Sequence, residues 1–241
     1  MMFYKIADCV VEYDPLYEMM RRKMVPYQCE KQKRDIAITI SEEFCMNKQK
    51  ENPHLSLEQC EYIFAGIQFY GKLLRYGGFV LHASAVVVDG EAYLFSADSG
   101  TGKSTHTKLW QSYFGEDKAV IINDDKPAIR IEKGGCMVYG TPFSGKTDEN
   151  RNQKAVLRGI CMLERGEENQ IRAISPKEAL PLLMRQTLLP VHEDVVDELF
   201  SMLDAVLKKV PIYRMECNIS EEAAAMAYKT MGRKDEGKTC G

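Results

Sequence analysis

The sequence predicts an α/β fold, a mixed sheet preceded by a small α+β unit and followed by a helical part. Three observations predict it. An apolar run, Ala92-Tyr93-Leu94-Phe95, leads through a glycine-containing loop into a helix-forming stretch, Lys103 to Phe114. Short apolar runs separated by turn signals fill the region from Phe79 to Ser175. Beyond Ser175, apolar residues recur at helical spacing.

Residues 1–78 form the first unit. Phe3 to Tyr13 and Asp35 to Ile40 are β-branched and aromatic runs, and Leu57 to Tyr76 keeps apolar residues at Ile63, Ile67, Tyr70 and Leu74 in helical register. Gly77-Gly78 stops that helix. Phe79 to Val88 then alternates as one strand, and Asp89-Gly90 is a hairpin signal into the next. After the loop helix, Ala119 to Ile122 is an apolar strand ending in Asn123-Asp124-Asp125. Lys126 to Ile131 and Cys136 to Tyr139 flank Gly134-Gly135 as a hairpin. Thr141 to Lys154 is polar and long for a connection. Another strand pair, Ala155 to Glu164 and Gln170 to Ser175, follows it. Ser175-Pro176 with Glu178 supplies a helix start with a capping box. Val195, Leu199, Met202 and Val206 stripe a second helix that Pro211 ends, Ile212 to Cys217 is a short strand, and Asn218 or Ser220 caps a last, alanine-rich helix. The core thus runs over 79–231, and 232–241 is a polar tail.

Composition narrows the function classes. A chain of 241 residues suits one substantial core with an appendage. A net charge of −3 and a pI near 5.9 provide no basic field, so nucleic acid is not expected as a partner. The eight cysteines include no Cys-x-x-Cys pair, which argues against a zinc site or a disulfide framework. No basic-then-apolar leader opens the chain, and no uncharged apolar run approaches the ~18 residues of a membrane span. The expectation is a cytoplasmic protein without a membrane partner.

The loop, Ala97-Asp98-Ser99-Gly100-Thr101-Gly102-Lys103-Ser104-Thr105, is a phosphate-binding loop. Gly100 and Gly102 let the backbone wrap an oxyanion, and N–H groups of Ser99, Thr101 and their neighbours converge at a helix N-terminus. Lys103 reaches the β- and γ-phosphates, Ser104 offers a hydroxyl to Mg²⁺, and Thr105 supports the α-phosphate side. Ala97 stands where the first glycine usually does, which a negative φ tolerates. Asp124 and Asp125 end a strand where such enzymes place a carboxylate for the metal. Asp124, with Ser104, is the metal candidate, and a second acid allows a base for an incoming hydroxyl. The division between the two stays open, and Asn-Asp-Asp-Lys-Pro is also good turn chemistry. His82, on a strand expected beside the loop's own, can exchange a proton near neutral pH. His106 is read as structural. Lys146 and Arg151, and beyond them Arg158, bring positive charge to the polar stretch, which reads as a mobile lid over a transferring phosphoryl group.

Taken in order, Leu81-His82-Ala83, the loop Asp98 to Ser104, and Asn123-Asp124-Asp125 resemble the C-terminal catalytic domain of HPr kinase/phosphorylase and the HPr-kinase-like proteins, relatives of phosphoenolpyruvate carboxykinase. Arg158-Gly159 resembles the Arg-Gly of that family's later signature, with Val156 where the signature is acidic. The resemblance covers residues 79–165. Tyr139 to Lys146 with Asn150-Arg151-Asn152 is similar to the small HPr-kinase-like proteins, some found with peptide-modification genes and some acting as serine or peptide kinases. The resemblance implies the mixed sheet of the HPr kinase/carboxykinase type, ATP and Mg²⁺ as cofactors, His82 and one aspartate in acid/base roles, and a homo-oligomer. The expected activity is phosphoryl transfer to a hydroxyl of a peptide, protein or small molecule. The alternatives are a nucleotide-binding accessory protein without chemistry and, less favoured by chain length, a carboxykinase-like enzyme.

Overall fold

Two β-sheets organise the chain, which is described by a computed structural model over residues 1–187 and 195–232. Residues 233–241 of the expected tail, with Cys240, lie outside the described residues. The smaller sheet has three strands. β1 (Met2–Ile6) and β2 (Cys9–Tyr13) form a hairpin that turns on Ala7 and Asp8, and β3 (Ile36–Ala37) adds in parallel to β2. Helices α1 (Glu18–Met24), α2 (Glu42–Glu51) and α3 (Leu57–Leu73) complete this unit. A capping box, Ser56 with Gln59, starts α3. Its buried stripe is Glu61, Ala65, Phe69 and Leu73, whereas Ile63 and Ile67 are exposed, contrary to the expected face. The helix is turned by Glu61, whose carboxylate accepts from the Tyr13 hydroxyl at 2.6 Å and from the Leu16 and Tyr17 amides at 2.5 and 2.9 Å. A buried charge needs such partners.

The larger sheet has nine strands. They are β4 (Gly78–Val80), β5 (Ala83–Val88), β6 (Glu91–Ser96), β7 (Val120–Asn123), β8 (Ala128–Glu132), β9 (Gly135–Tyr139), β10 (Lys154–Arg165), β11 (Gln170–Ile174) and β12 (Ile212–Cys217). The main order is β4-β8-β9-β10-β6-β5-β7, and β12 pairs with the C-terminal half of β10. β6, β10 and β12 are parallel to one another and most other pairs antiparallel, so the sheet is mixed. Two expectations change. The strand over 79–88 is broken at Leu81-His82, because the His82 amide bonds the Gln186 carbonyl rather than a sheet neighbour. The strands over 155–175 do not pair, because β12 lies between β10 and β11.

Strand alternation sends residues to two faces. On one face Ala92 and Leu94 of β6 and Ala83 and Ala85 of β5 meet helices α5 (Pro176–Gln186) and α6 (Val196–Lys209). On the other, Tyr93 and Phe95 of β6 and Val86 and Val88 of β5 meet α4 (Lys103–Phe114) and α7 (Glu221–Met231), with Trp110 fully buried at the centre. α3 covers the β4, β8 and β9 end through Phe69 and Leu73 against Val80, Ala128 and Tyr139. β10 serves both halves by an irregularity between Leu157 and Gly159. Ala155 and Leu157 precede it on the α5/α6 face, and Ile160 and Met162 resume on that same face after the register has slipped by one.

Candidate functional site

The C-terminal ends of the parallel strands β6, β10 and β12 form one rim of the large sheet, where ligands of open α/β sheets generally bind. From β6 the chain passes through residues 97–102 into α4. Gly100 and Gly102 take φ of 81° and 121°, as the loop requires, while Ala97 is not among the positive-φ residues. Lys103, 7% exposed, folds over the loop with Nζ 2.9 Å from the Ala97 carbonyl. Burial lowers its pKa, and the nearby Asp125, Asp124 and Asp98 oppose that shift. Arg165, at the end of β10, donates to the carbonyls of Gly100 and, at 3.1 Å, Thr101, fastening the loop's outer edge.

The turn after β7 delivers the two carboxylates. Asn123 makes it: its Oδ1 accepts from the amides of Asp125 and Lys126 at 2.9 and 2.7 Å, and its Nδ2 donates to the Thr141 carbonyl at 2.9 Å. Turn chemistry and site chemistry are thus the same residues. Asp124 is 4% exposed. Its Oδ1 accepts from Ser84 Oγ at 2.6 Å and its Oδ2 from Thr147 Oγ1 at 2.8 Å, and Ser84 Oγ meets Thr107 Oγ1 of α4 at 2.8 Å. Asp125 Oδ1 lies 3.3 Å from His82 Nε2 and 3.1 Å from Lys126 Nζ. Burial pushes the Asp125 pKa up, but the hydrogen bond from His82 and the charge of Lys126 outweigh it and hold the carboxyl below its usual range. Gly145, at φ +68°, passes so close that a Cβ there would be 2.9 Å from Asp125 Cβ.

His82 stands in the gap between β4 and β5. Its amide donates to the Gln186 carbonyl at 2.8 Å, its Nδ1 is 3.0 Å from Gln186 Oε1, and Gln186 Nε2 donates to Asp98 Oδ1 at 2.7 Å. An unbroken line of contacts therefore runs Asp125, His82, Gln186, Asp98, from the turn back to the loop before α4.

Residues 99–105, His82, Asp124, Asp125 and Lys146 line one cleft of about 950 Å³. Arg151 does not. It is exposed, and its backbone bonds Ile122 and Gln153 alongside β7. Nor is the stretch 141–154 free in this structure. The first unit braces it: Lys23 pairs with Asp148, Tyr62 Oη accepts from the Gly145 amide at 3.0 Å, Tyr27 Oη donates to Asn150 at 2.9 Å, and Asn152 donates to the Pro26 carbonyl at 3.1 Å. His106, inside α4, is 2% exposed. It accepts from Trp110 Nε1 at 3.2 Å, and burial lowers its pKa to about 4.

Gln186, Arg165, Ser84 and Thr147 escape a reading of the sequence. Gln186 is 104 residues from His82 and Arg165 is 65 from Gly100, and neither stands in a local pattern. Only the pairing of β10 with β6 and the packing of α5 bring them to the loop.

No group of three or more His, Cys, Asp or Glu side chains suited to a metal exists among the described residues. Magnesium bound through substrate phosphates needs only one or two carboxylates and keeps its waters. Asp124 and Ser104, both on the cleft wall and both hard oxygen donors, fit such an ion.

No family model matches the chain, and no curated protein matches it. Solved structures do match. One is the HPr(Ser) kinase/phosphatase from Coxiella burnetii, 11% identical over 64% of this chain and 93% of that one, with a TM-score of 0.37. No helix among the described residues is long and apolar enough to cross a membrane.

Proposed function

We propose that the chain is an ATP- and Mg²⁺-dependent kinase that transfers the γ-phosphoryl group to a serine-type hydroxyl of a peptide, protein or small molecule. The observation that carries this reading is the convergence on one cleft of a phosphate loop, a desolvated carboxylate and an ionised carboxylate paired with a histidine. The loop amides and Lys103 bind and orient the phosphates, and Asp124 and Ser104 would hold Mg²⁺, which would supply positive charge to offset that of the phosphates. The two acids differ in their surroundings, which supports a division of roles between them. Asp124 is already aimed by Ser84 and Thr147 beside α4, which suits a metal ligand. Asp125 takes its hydrogen bonds on Oδ1, and its Oδ2, unpartnered among the described residues, is the oxygen for the acceptor's proton.

In the transfer, the acceptor oxygen bonds to the γ-phosphorus as the bond to the β,γ-bridging oxygen breaks, ADP leaves, and the hydroxyl proton passes to Asp125. A weak base suffices where the transition state is loose. Beyond the phosphates, the cleft continues between Leu109, Leu163, Cys217 and Ile219, an apolar end suited to the nucleobase.

The test is transfer from γ-labelled ATP to free serine and a panel of serine peptides. Lys103→Ala should abolish ATP binding or turnover, and Asp125→Asn should keep ATP affinity within ~3-fold while losing at least ~100-fold in transfer. Unchanged transfer by Lys103→Ala would overturn the assignment. ATP binding by the unmodified chain with no transfer and no hydrolysis would support the accessory reading instead.

A further inference from the structure

A second cavity, of about 320 Å³, lies between the loop before α4, the end of β10 and the end of α5. Met162 and Leu182, both on the α5/α6 face of the sheet, give it an apolar floor. Asp98, Glu164, Arg165 and Arg185 surround that floor with charge. These charges do not cancel. Glu164 is neutralised by Arg214, which meets its two oxygens at 2.9 and 2.8 Å. Asp98 is bonded to Gln186 and lies near the Lys103 ammonium. Arg165 is tied to the main-chain carbonyls of Gly100 and Thr101, which carry no charge. Arg185 is exposed and has no hydrogen-bond or ion-pair partner among the described residues. Two guanidinium groups are thus left without a carboxylate beside an apolar floor. The ligand such a cavity fits has an anionic group on a partly apolar body, and a guanidinium takes a carboxylate through two parallel hydrogen bonds.

We infer that this cavity is a subsite for the phosphate acceptor, and that the acceptor bears a carboxylate close to its hydroxyl, held by Arg185. The inference rests on the phosphoryl-transfer reading. With the nucleobase at the end of the main cleft lined by Leu109, Cys217 and Ile219, the acceptor must approach from the end where His82 and Asp125 stand. Gln186 joins that end to the second cavity, because it lines the cavity and contacts both His82 and Asp98. A ligand seated against Gln186 is one side chain away from the His82–Asp125 pair. Its carboxylate on Arg185 leaves its hydroxyl free to turn toward Asp125. In an unmodified peptide or amino acid that carboxylate has two sources, an acidic side chain beside the serine or the C-terminal carboxylate of a chain that ends in serine.

The experiment offers the full chain three serine peptides of equal length: one with an acidic residue beside the serine and an amidated C-terminus, one with the serine at a free C-terminus, and a neutral amidated one. Transfer from γ-labelled ATP and binding by fluorescence anisotropy are both read. At least one carboxylate-bearing peptide should exceed the neutral one by ~5-fold or more in kcat/KM, chiefly through KM, and the better of the two identifies the source of the carboxylate. Arg185→Glu should abolish that preference and Arg185→Lys, which keeps the charge, should retain part of it, with KM for ATP within ~2-fold in both. Arg185 is exposed, so neither substitution disturbs the core. Equal use of the three peptides, or a preference that survives Arg185→Glu, overturns the inference. So does a change confined to ATP affinity, which would make the cavity an effector site. Absence of transfer to any peptide would instead sink the proposed function, and anisotropy would still decide the cavity: a carboxylate preference in binding that Arg185→Glu removes upholds it, and binding without that preference overturns it.

Discussion

Acidification should destabilise this protein through His106. The ring is buried between α4 and β6, 4.4 Å from the Phe95 ring, with Nε2 accepting from Trp110. Nδ1 therefore carries the proton of the neutral ring, and it has no hydrogen-bond partner among the described residues, so nothing offsets the cost of charging the ring. Burial depresses the pKa from 6.5 to about 4. A depressed folded-state value means that the unfolded chain binds the proton first as pH falls. The stabilisation is thus present in full above about pH 6.5 and is lost progressively down to about pH 4. The loss amounts to about 2 kcal/mol at pH 5 and about 3 kcal/mol near pH 4, at about 1.4 kcal/mol for each pH unit. Urea unfolding at pH 7.5 and pH 5 measures it, with His106→Gln as the reference. Glutamine keeps an acceptor for Trp110 and does not titrate, so the drop between the two pH values should be about 2 kcal/mol smaller in the variant. Equal drops in both proteins would refute the argument, because they would assign the pH sensitivity to other groups.

Two further substitutions test the site from its edges. Ile219 is 80% exposed on the apolar end of the cleft, so Ile219→Asp should leave stability unchanged and weaken ATP binding ~10-fold or more while leaving inorganic triphosphate binding unaltered; equal weakening of both would remove the nucleobase from that end. Arg151 lies off the cleft, so Arg151→Ala should keep kcat/KM within ~2-fold, and a ~10-fold loss in kcat/KM would restore the arginine to the transferring group.

What the sequence made legible divides by the range of the interactions involved. The loop and α4 depend on Gly100, Gly102 and their immediate neighbours, and the turn after β7 depends on Asn123 bonding two and three residues ahead, so both are written in consecutive letters. The hairpin at Asp89-Gly90 and the capping boxes of α3 and α5 are local in the same way. Errors begin where a distant partner decides. The amide of His82 has a choice between a sheet neighbour and the end of α5, and α5 wins, which breaks a strand that alternation alone would continue. The strands over 155–175 satisfy a hairpin pattern, yet β12, nearly 50 residues further on, pairs in parallel with β10 and separates them. Ile63 and Ile67 keep helical spacing, but Glu61 sets the buried face because its carboxylate must reach three donors from β2 and the start of α1. The polar stretch 141–154 has a lid's composition because its anchors are polar too. Lys23, Tyr27 and Tyr62 all come from the elements before β4, which gives those elements a physical task beside the site: they hold the segment that carries Thr147 to Asp124 and Gly145 to Asp125. Both carboxylates are therefore aimed from two directions, by the turn of Asn123 on one side and by a loop pinned from the N-terminal unit on the other. Loosening the pin should disturb the placement of both carboxylates while leaving the loop before α4 intact.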